Sequence, residues 1–450
     1  MKEKILLINP FYEYKNKHVW RHKRIWPPID LAIVAAMLEQ KGFEVTILDL
    51  NAVQIPIGIA AQKTEGFDKI FITSGSLDRW QCPHLDIDSF LLAMEEVKKV
   101  NPNTKIYIFG PHVTMRPKEL LEVTKTDAAI IGEPELTIAE LCEKKSLADV
   151  DGLAYIEKND FKLTKPRELA DLSKFPIPAF HLLPMKKYNY EIMGDHFTLL
   201  ETSRGCPFSC IFCAEDQMYG LKYRMKPVSL IEKEIDKCVN EFGVKNIYFI
   251  DLEFTLNRDF VNEICDMLIR KGYKINWACQ TRADTVDLEL LTKMRKAGCT
   301  LIHYGLESGS PTILESTNKK ITLDSLRQSV EWAKQVGMEV VCFSMMGLPT
   351  ETAEDMRMTI EFAKEVNPDY ISFHVATPYP GTTFYETVKN EVKDLFPLSY
   401  EGIYSEEFIR RMTRRAFIEF YIRPKYLLSM LRKSPKLLFR QSKLFLSFIK

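Results

Sequence analysis

Three cysteines stand together in the segment SRGCPFSCIFCAED as Cys206, Cys210 and Cys213, a C-x3-C-x2-C spacing. Thiolates are the ligands that iron–sulfur clusters use. Three of them satisfy three irons of a four-iron, four-sulfur cube and leave the fourth with open coordination sites. The loop is short and carries Pro207, so it can wrap around one cube, and Gly205 before it permits an unusual backbone. A zinc site would need a further C-x2-C or C-x2-H pair, which the other seven scattered cysteines do not supply.

The elements that must hold this loop follow from periodicity. From about residue 196, strands are expected near 197–202, 246–250, 275–279, 300–305, 339–345 and 370–375. Helices lie between them, such as 229–243 with Ile231, Ile235, Val239 and Phe242 on one face. Six strand–helix units predict a partial (β/α)6, TIM-like barrel over 196–395, and the cysteine loop follows its first strand, where barrels gather their chemistry. The first ~145 residues also alternate strands (4–8, 44–49, 68–73, 105–109, 127–131) with helices, which predicts a flavodoxin- or Rossmann-like open sheet over 1–145. Residues 146–195 read as a linker, with a hairpin in GLAYIEKNDFKLT and the proline-punctuated FPIPAFHLLP. Residues 396–450 read as a basic helical extension.

The cysteine motif, Phe212 just before its last cysteine, and the six-unit barrel together resemble the radical S-adenosylmethionine (SAM) superfamily. That resemblance implies a [4Fe–4S] cluster on Cys206, Cys210 and Cys213 whose open iron binds the amino and carboxylate groups of SAM. It further implies a 5′-deoxyadenosyl radical and a one-electron reductant of ferredoxin or flavodoxin type. On the same basis Asp251 and Glu253 in IDLEFTLN are expected near the ligand's ammonium, which needs a nearby anion when desolvated. Glu307 and Ser308 in YGLESGS are expected at the ribose and methionine moiety, Arg282 at the carboxylate, and Gly347 where backbone approaches adenine.

The order of open sheet, proline-rich linker and barrel resembles the cobalamin-binding subgroup of that superfamily. Particular matches are FGPHVTMRPKEL (109–120), IIGEPELTIAEL (130–141) and DLSKFPIPAF (171–180). The resemblance implies cobalamin at the strand-end turns, with Ser74, Ser76, Gly110, Thr114, Gly132 and Glu133 as contacts. A D-x-H-x-x-G loop is absent after the first strand, where Asn9-Pro10-Phe11-Tyr12 stands, so no histidine axial ligand is expected. The aromatic and polar residues His18, Trp20, His22, Trp26, Trp80, Cys82 and His84 receive no role.

The implied reaction is methyl transfer to an unactivated carbon, with cyclisation or ring modification as the alternative in the same subgroup. A tRNA methylthiotransferase would need a second cysteine triad, which Cys82 and Cys142 cannot form. A non-catalytic cobalamin or redox sensor would not need the cysteine triad together with acidic strand ends. The formal net charge is zero, which argues against a nucleic-acid partner. It conceals twelve Lys or Arg against one acid, Glu419, in residues 410–450, a local +11 offset by −11 elsewhere. Treated as a helix, residues 436–450 gather Lys436, Arg440, Lys443 and Lys450 on one side. That pattern predicts peripheral contact with the inner membrane surface and an apolar or lipid-like substrate. With no signal-peptide core or membrane-spanning run, a cytoplasmic location is expected.

Overall fold

The run Ile5-Leu6-Leu7-Ile8 is apolar at every position, as a strand covered on both faces must be, and each of these residues is at most 1% exposed. The computed structural model describes residues 2–12, 25–76, 83–144 and 146–433. In it that run forms β1 (Lys4–Asn9), at the heart of a sheet with β2 (Glu44–Asp49), β3 (Lys69–Thr73), β4 (Lys105–Phe109) and β5 (Ala128–Ile130). The order β2-β1-β3-β4-β5 is parallel throughout and flavodoxin-like, so the chain leaves β1 toward opposite sides and opens a crevice at the strand C-termini.

The hairpin that the sequence places in the linker belongs instead to this sheet. β6 (Leu153–Glu157) pairs antiparallel with β5, and β7 (Asp160–Leu163) with β6. Lys158 and Asn159 both take positive φ (51° and 72°), the backbone of a two-residue hairpin turn. The proline-punctuated segment that follows is packed, not loose: Phe175, Phe180 and Met185 are buried, and Ala179 N–H donates to Ala32 O at 2.9 Å.

The second half forms the partial barrel. β8 (Phe197–Leu200) is followed by the small antiparallel pair β9 (Ser203–Arg204) and β10 (Arg224–Met225). β11 (Asn246–Phe249), β12 (Asn276–Thr281), β13 (Cys299–Glu307), β14 (Glu339–Met346) and β15 (Tyr370–Val375) complete six parallel strands in sequence order, β8-β11-β12-β13-β14-β15. On the helix Val228–Phe242, Ile231 and Ile235 are buried and Val239 and Phe242 pack beside them. The edge strand β15 is closed by a tyrosine: Ile371 N–H donates to the Tyr421 hydroxyl at 2.8 Å, which donates to Ile371 O at 2.7 Å. Tyr421 ends the helix Glu406–Tyr421, whose Ile409, Met412, Ala416 and Phe420 are buried against the barrel. Up to residue 421, then, the apolar face of the basic extension is covered by protein. The amphipathic pattern at 436–450, and His18, Trp20, His22, Trp80 and Cys82, lie outside the described residues. No helix among the described residues is long and apolar enough to cross a membrane.

Two features join the halves. The helix Ile29–Gln40 is apolar all round because both its faces are covered: Ile29, Ala32 and Ile33 join the barrel's core, while Leu31, Val34, Ala35 and Leu38 join the sheet's. The second is Arg204, a wholly buried guanidinium whose Nε reaches both Glu201 oxygens (2.8 and 2.9 Å). Its terminal nitrogens donate to Glu135, in the first turn of the first domain's helix Pro134–Glu143, at 2.6 and 3.2 Å, with Glu133 at 3.7 Å. The rings of Phe175 and Tyr219 lie 5.0 and 5.2 Å from it. Replacing Arg204 with Met strands carboxylates in a dry interface and is expected to destabilise the protein by about 3–5 kcal/mol. Adding Glu135→Gln should restore part of that loss. Urea unfolding of wild type and the single and double variants measures both effects; additive losses would contradict the coupling.

Candidate functional site

The cysteine loop leaves β8 through Glu201 and Thr202, and its path is set by the end of β11. Asp251, 1% exposed, accepts from Thr202 N–H (3.1 and 3.2 Å), the Thr202 hydroxyl (2.7 Å) and the Ser203 hydroxyl (2.5 Å). Asp251, expected near a ligand ammonium, also ties the root of the cluster loop to the end of β11. Gly205 follows with φ 84°, where an added Cβ would lie 2.2 Å from Lys222 O, so only glycine lets the chain pass.

The far side of the loop is clamped to the turn after β13. Ile211 N–H donates to Thr317 O at 3.0 Å, and the Asn318 amide donates to Ser209 O and Oγ at 2.9 and 3.0 Å. Arg282 completes the clamp: its guanidinium lies 3.8 Å from the Phe208 ring centroid, pairs with both Asp284 oxygens (2.9 and 2.8 Å) and donates to Lys319 O (2.7 Å). Through these contacts Arg282, expected at a ligand carboxylate, ties two loops together. Phe212 packs among Ile313, Leu348 and Phe384. Phe384 N–H donates to Ile211 O at 2.8 Å.

Around the cysteines the structure gathers Glu253, Glu307 and a cation that sequence reasoning missed, Lys319. Glu307 ends β13 with φ 59°, after a register shift at Gly305, and its carboxylate pairs with Lys319. Lys319 Nζ also donates to Gly305 O at 2.9 Å. Glu253 accepts from Arg282 N–H at 2.7 Å. Burial pushes its carboxyl up to about 7, against the pull of Lys319 and Arg282. Nothing in the run STNKK marks Lys319 in advance; its role comes from a turn that folds it back on β13.

The three thiols are unpaired. Burial raises all of them, Cys206 up to about 12, with Lys319 and Arg282 opposing the rise at Cys210. Metal binding there must release protons. Among the described residues no three His, Cys, Asp or Glu side chains are gathered as a single-ion site. The fit to a cluster rests on donor chemistry, three free thiols on one short loop tied down on both flanks. Glu215, two residues beyond Cys213, is buried, and neither carboxylate oxygen has a partner among the described residues. Burial pushes it up to about 8.

Two further expected SAM contacts, Ser308 and Gly347, also make contacts within the fold. The Ser308 hydroxyl sits 3.2 Å from Thr359 Oγ1 and accepts from Ser310 N–H at 3.1 Å, so it shapes the turn after β13. Gly347 (φ 93°) donates its N–H to Glu351 at 2.5 Å, and its open side is filled by Ile409, 2.9 Å from where a Cβ would stand. Its backbone is approached by the helix Glu406–Tyr421.

At the crevice of the first sheet, Gly110 (φ 106°) follows β4, and a Cβ there would lie 2.8 Å from Ser74 Oγ and 3.1 Å from Ser74 N. The Ser74 hydroxyl is buried with no hydrogen-bond partner among the described residues, and Ser76 is buried beside it in the chain. Gly132 N–H donates to Thr114 Oγ1 at 3.0 Å. This cradle, with an orphaned hydroxyl and backbone exposed by glycine, suits a large group approached by main chain. Glu133, expected with them, pairs with Arg224 and accepts from Ala170 N–H at 3.1 Å, inside the interdomain charge cluster. The cradle and the cluster loop adjoin. Ala214, directly after Cys213, is buried in the first domain's core with Val113 and Met115. Gly132 faces Met218 O, 3.7 Å from its would-be Cβ.

A triad loop on a parallel half-barrel, abutting the crevice of a flavodoxin-like sheet, defines a radical enzyme paired with a second cofactor domain. Comparison with known proteins gives the class. The model of the radical SAM superfamily matches residues 200–363, and that of the B12-binding domain matches residues 21–142. An uncharacterized methyltransferase of Pyrococcus horikoshii is 33% identical over 443 residues, covering 94% of each chain. The anaerobic magnesium-protoporphyrin IX monomethyl ester cyclase of Rubrivivax gelatinosus is 26% identical over 87% of this chain and 71% of its own. Among solved structures, the cobalamin-dependent SAM radical enzyme OxsB superposes with a TM-score of 0.76 at 16% identity, covering 100% of this chain and 72% of its own, a likeness of fold. The chain belongs to the cobalamin-binding radical SAM enzymes, which use a [4Fe–4S] cluster, SAM and cobalamin.

Glu351 offers a pH test of the β14 end. Burial pushes its carboxyl up from 4.5 to about 7, while the Gly347 and Leu348 N–H groups favour the charged form. A raised folded value means stability fully present below about pH 4.5 and lost as pH rises toward 7, by up to about 3 kcal/mol. Glu351→Gln should therefore gain on wild type between about pH 5 and about pH 8 in urea unfolding. A wild-type-to-variant difference independent of pH would contradict this.

Proposed function

We propose that this enzyme transfers a methyl group to an unactivated carbon of an apolar substrate. The observation that carries the reading is the seam just described: the residue after the last cysteine of the triad sits in the core of the cobalamin-binding domain, beside the Gly110 cradle. Cys206, Cys210 and Cys213 would hold the cluster. Glu253 and the Glu307–Lys319 pair would receive the amino-acid end of SAM, and Ser74, Gly110, Thr114 and Gly132 would hold cobalamin. Together these cofactors supply an electron, a hydrogen-abstracting adenosyl radical and a transferable methyl group. The chain's own part is to hold them in register, exclude water and line the substrate's path. The reductant would be a one-electron donor of ferredoxin or flavodoxin type. The similarity to the protoporphyrin ester cyclase favours a second reading, radical cyclisation without methyl transfer.

Anaerobically reconstituted protein should absorb near about 400 nm, as thiolate-bound iron–sulfur centres do. It should release 5′-deoxyadenosine when reduced with SAM. Cys206, Cys210 and Cys213 changed together to Ala should abolish both; retained iron or 5′-deoxyadenosine would refute the assignment. Isotopically labelled methyl-SAM separates the two reactions, since label must pass to cobalamin during turnover under the methyl-transfer reading only.

Gly110→Val should lower retention of hydroxocobalamin at least about tenfold, because its side chain would occupy the space beside Ser74. The triple cysteine variant should retain cobalamin. Circular dichroism confirming a folded Gly110→Val protein together with unchanged cobalamin retention would place the cofactor elsewhere.

A further inference from the structure

The lower barrel wall contains a buried polar chain that neither the cluster nor the cobalamin cradle uses. The Tyr190 hydroxyl lies 3.3 Å from His303 Nε2, and His303 Nδ1 lies 3.2 Å from the Tyr248 hydroxyl. Tyr248 donates to Gln280 Oε1 at 3.1 Å, and Gln280 Nε2 donates to Leu252 O at 3.2 Å. Tyr190, Tyr248 and His303 are at most 9% exposed.

The chain has one direction. Leu252 O can only accept, so the Gln280 amide must present its nitrogen there and its oxygen to Tyr248. Tyr248 has one proton and gives it to Gln280, so its oxygen accepts from His303. A neutral His303 then carries its proton on Nδ1 and accepts at Nε2 from Tyr190. Reversing any one member would set two donors or two acceptors face to face in a buried site.

The far end of the chain is the turn that bears Glu253. β12 grips this turn residue by residue: Phe254 N–H donates to Gln280 O (3.1 Å), Thr255 N–H to Thr281 Oγ1 (3.3 Å), and Arg282 N–H to Glu253 (2.7 Å). The Gln280 side chain adds the contact at Leu252, the residue before the acid.

We infer that His303, acting through Tyr248 and Gln280, is a positioning residue for Glu253 and so for the amino-acid end of SAM. It rests on the role given to Glu253 above. His303 holds Tyr248 in the rotamer that orients Gln280, and Gln280 holds the Leu252 carbonyl that aims the turn. A purely apolar residue at 303 would fill the wall but release the chain.

The test is SAM affinity of the reconstituted holoenzyme without reductant, by equilibrium dialysis with labelled SAM. His303→Phe, and Gln280→Glu whose carboxylate cannot donate to Leu252 O, should each weaken SAM about tenfold, the worth of one oriented hydrogen bond. Iron and cobalamin content should be unchanged. Glu253→Gln serves as the reference. If it binds SAM as wild type does, the role given to Glu253 fails. If it weakens SAM while His303→Phe and Gln280→Glu keep wild-type affinity, the positioning role is overturned. Lowered thermal stability in those two variants with unchanged affinity overturns it as well, leaving a structural role only.

Discussion

Arg204 is buried completely between two domains and stands two residues before the first cysteine of the triad. An uncompensated guanidinium there would cost several kcal/mol, so its three carboxylates must arrive together. Glu201 comes from the same turn, whereas Glu133 and Glu135 come from the first domain, at the start of the helix Pro134–Glu143. The barrel's cluster loop thus cannot take its path unless the first domain is docked. Arg224, on the strand paired with β9, repeats the arrangement with Glu133 and the Ala170 carbonyl, 2.8 Å away. Domain docking and the geometry of the triad are one event.

The same economy runs through the strand ends. Residues that look like ligands because they are polar and follow strands are, in several cases, occupied by the protein. Asp251 serves Thr202 and Ser203, Arg282 serves Phe208 and the 317–320 turn, and Ser308 serves the turn beside Thr359. A loop that must present three thiols to one group needs its backbone fixed from outside, since it has no secondary structure of its own. Polar side chains at neighbouring strand ends are the shortest means of fixing it. What remains pointed at the loop is Glu253, with the Glu307–Lys319 pair.

Legibility in the sequence followed the range of the interactions. Strands and helices repeat over short spans, so the six barrel units and the five parallel strands could be read from periodicity alone. The triad was plain because all three cysteines lie within eight residues. The hairpin at 153–163 was assigned to a linker because strand alternation says nothing about which sheet edge will accept it; only the free edge of β5 decides that. The contacts that tie Asp251 to Thr202, 49 residues away, and Arg282 to Lys319, 37 residues away, were not legible for a related reason: no local pattern encodes those pairings. The pairing of Glu133 with Arg224, 91 residues on, left no local signal either. Lys319 and His303 left no local signal at all.

Chemistry shared between two bound cofactors is sensitive to their separation, because misplacement of reacting groups by about 1 Å can cost orders of magnitude in rate. A hinge between the domains would make that separation variable. Here a hinge would have to withdraw Ala214 from the first domain's core, strip Arg204 of Glu135, and part the Ile29–Gln40 helix from one of the two cores it serves. Each step exposes apolar surface or strands a buried charge, and together they exceed the margin by which a domain of this size is stable. The distance between triad and cradle is therefore a property of the fold.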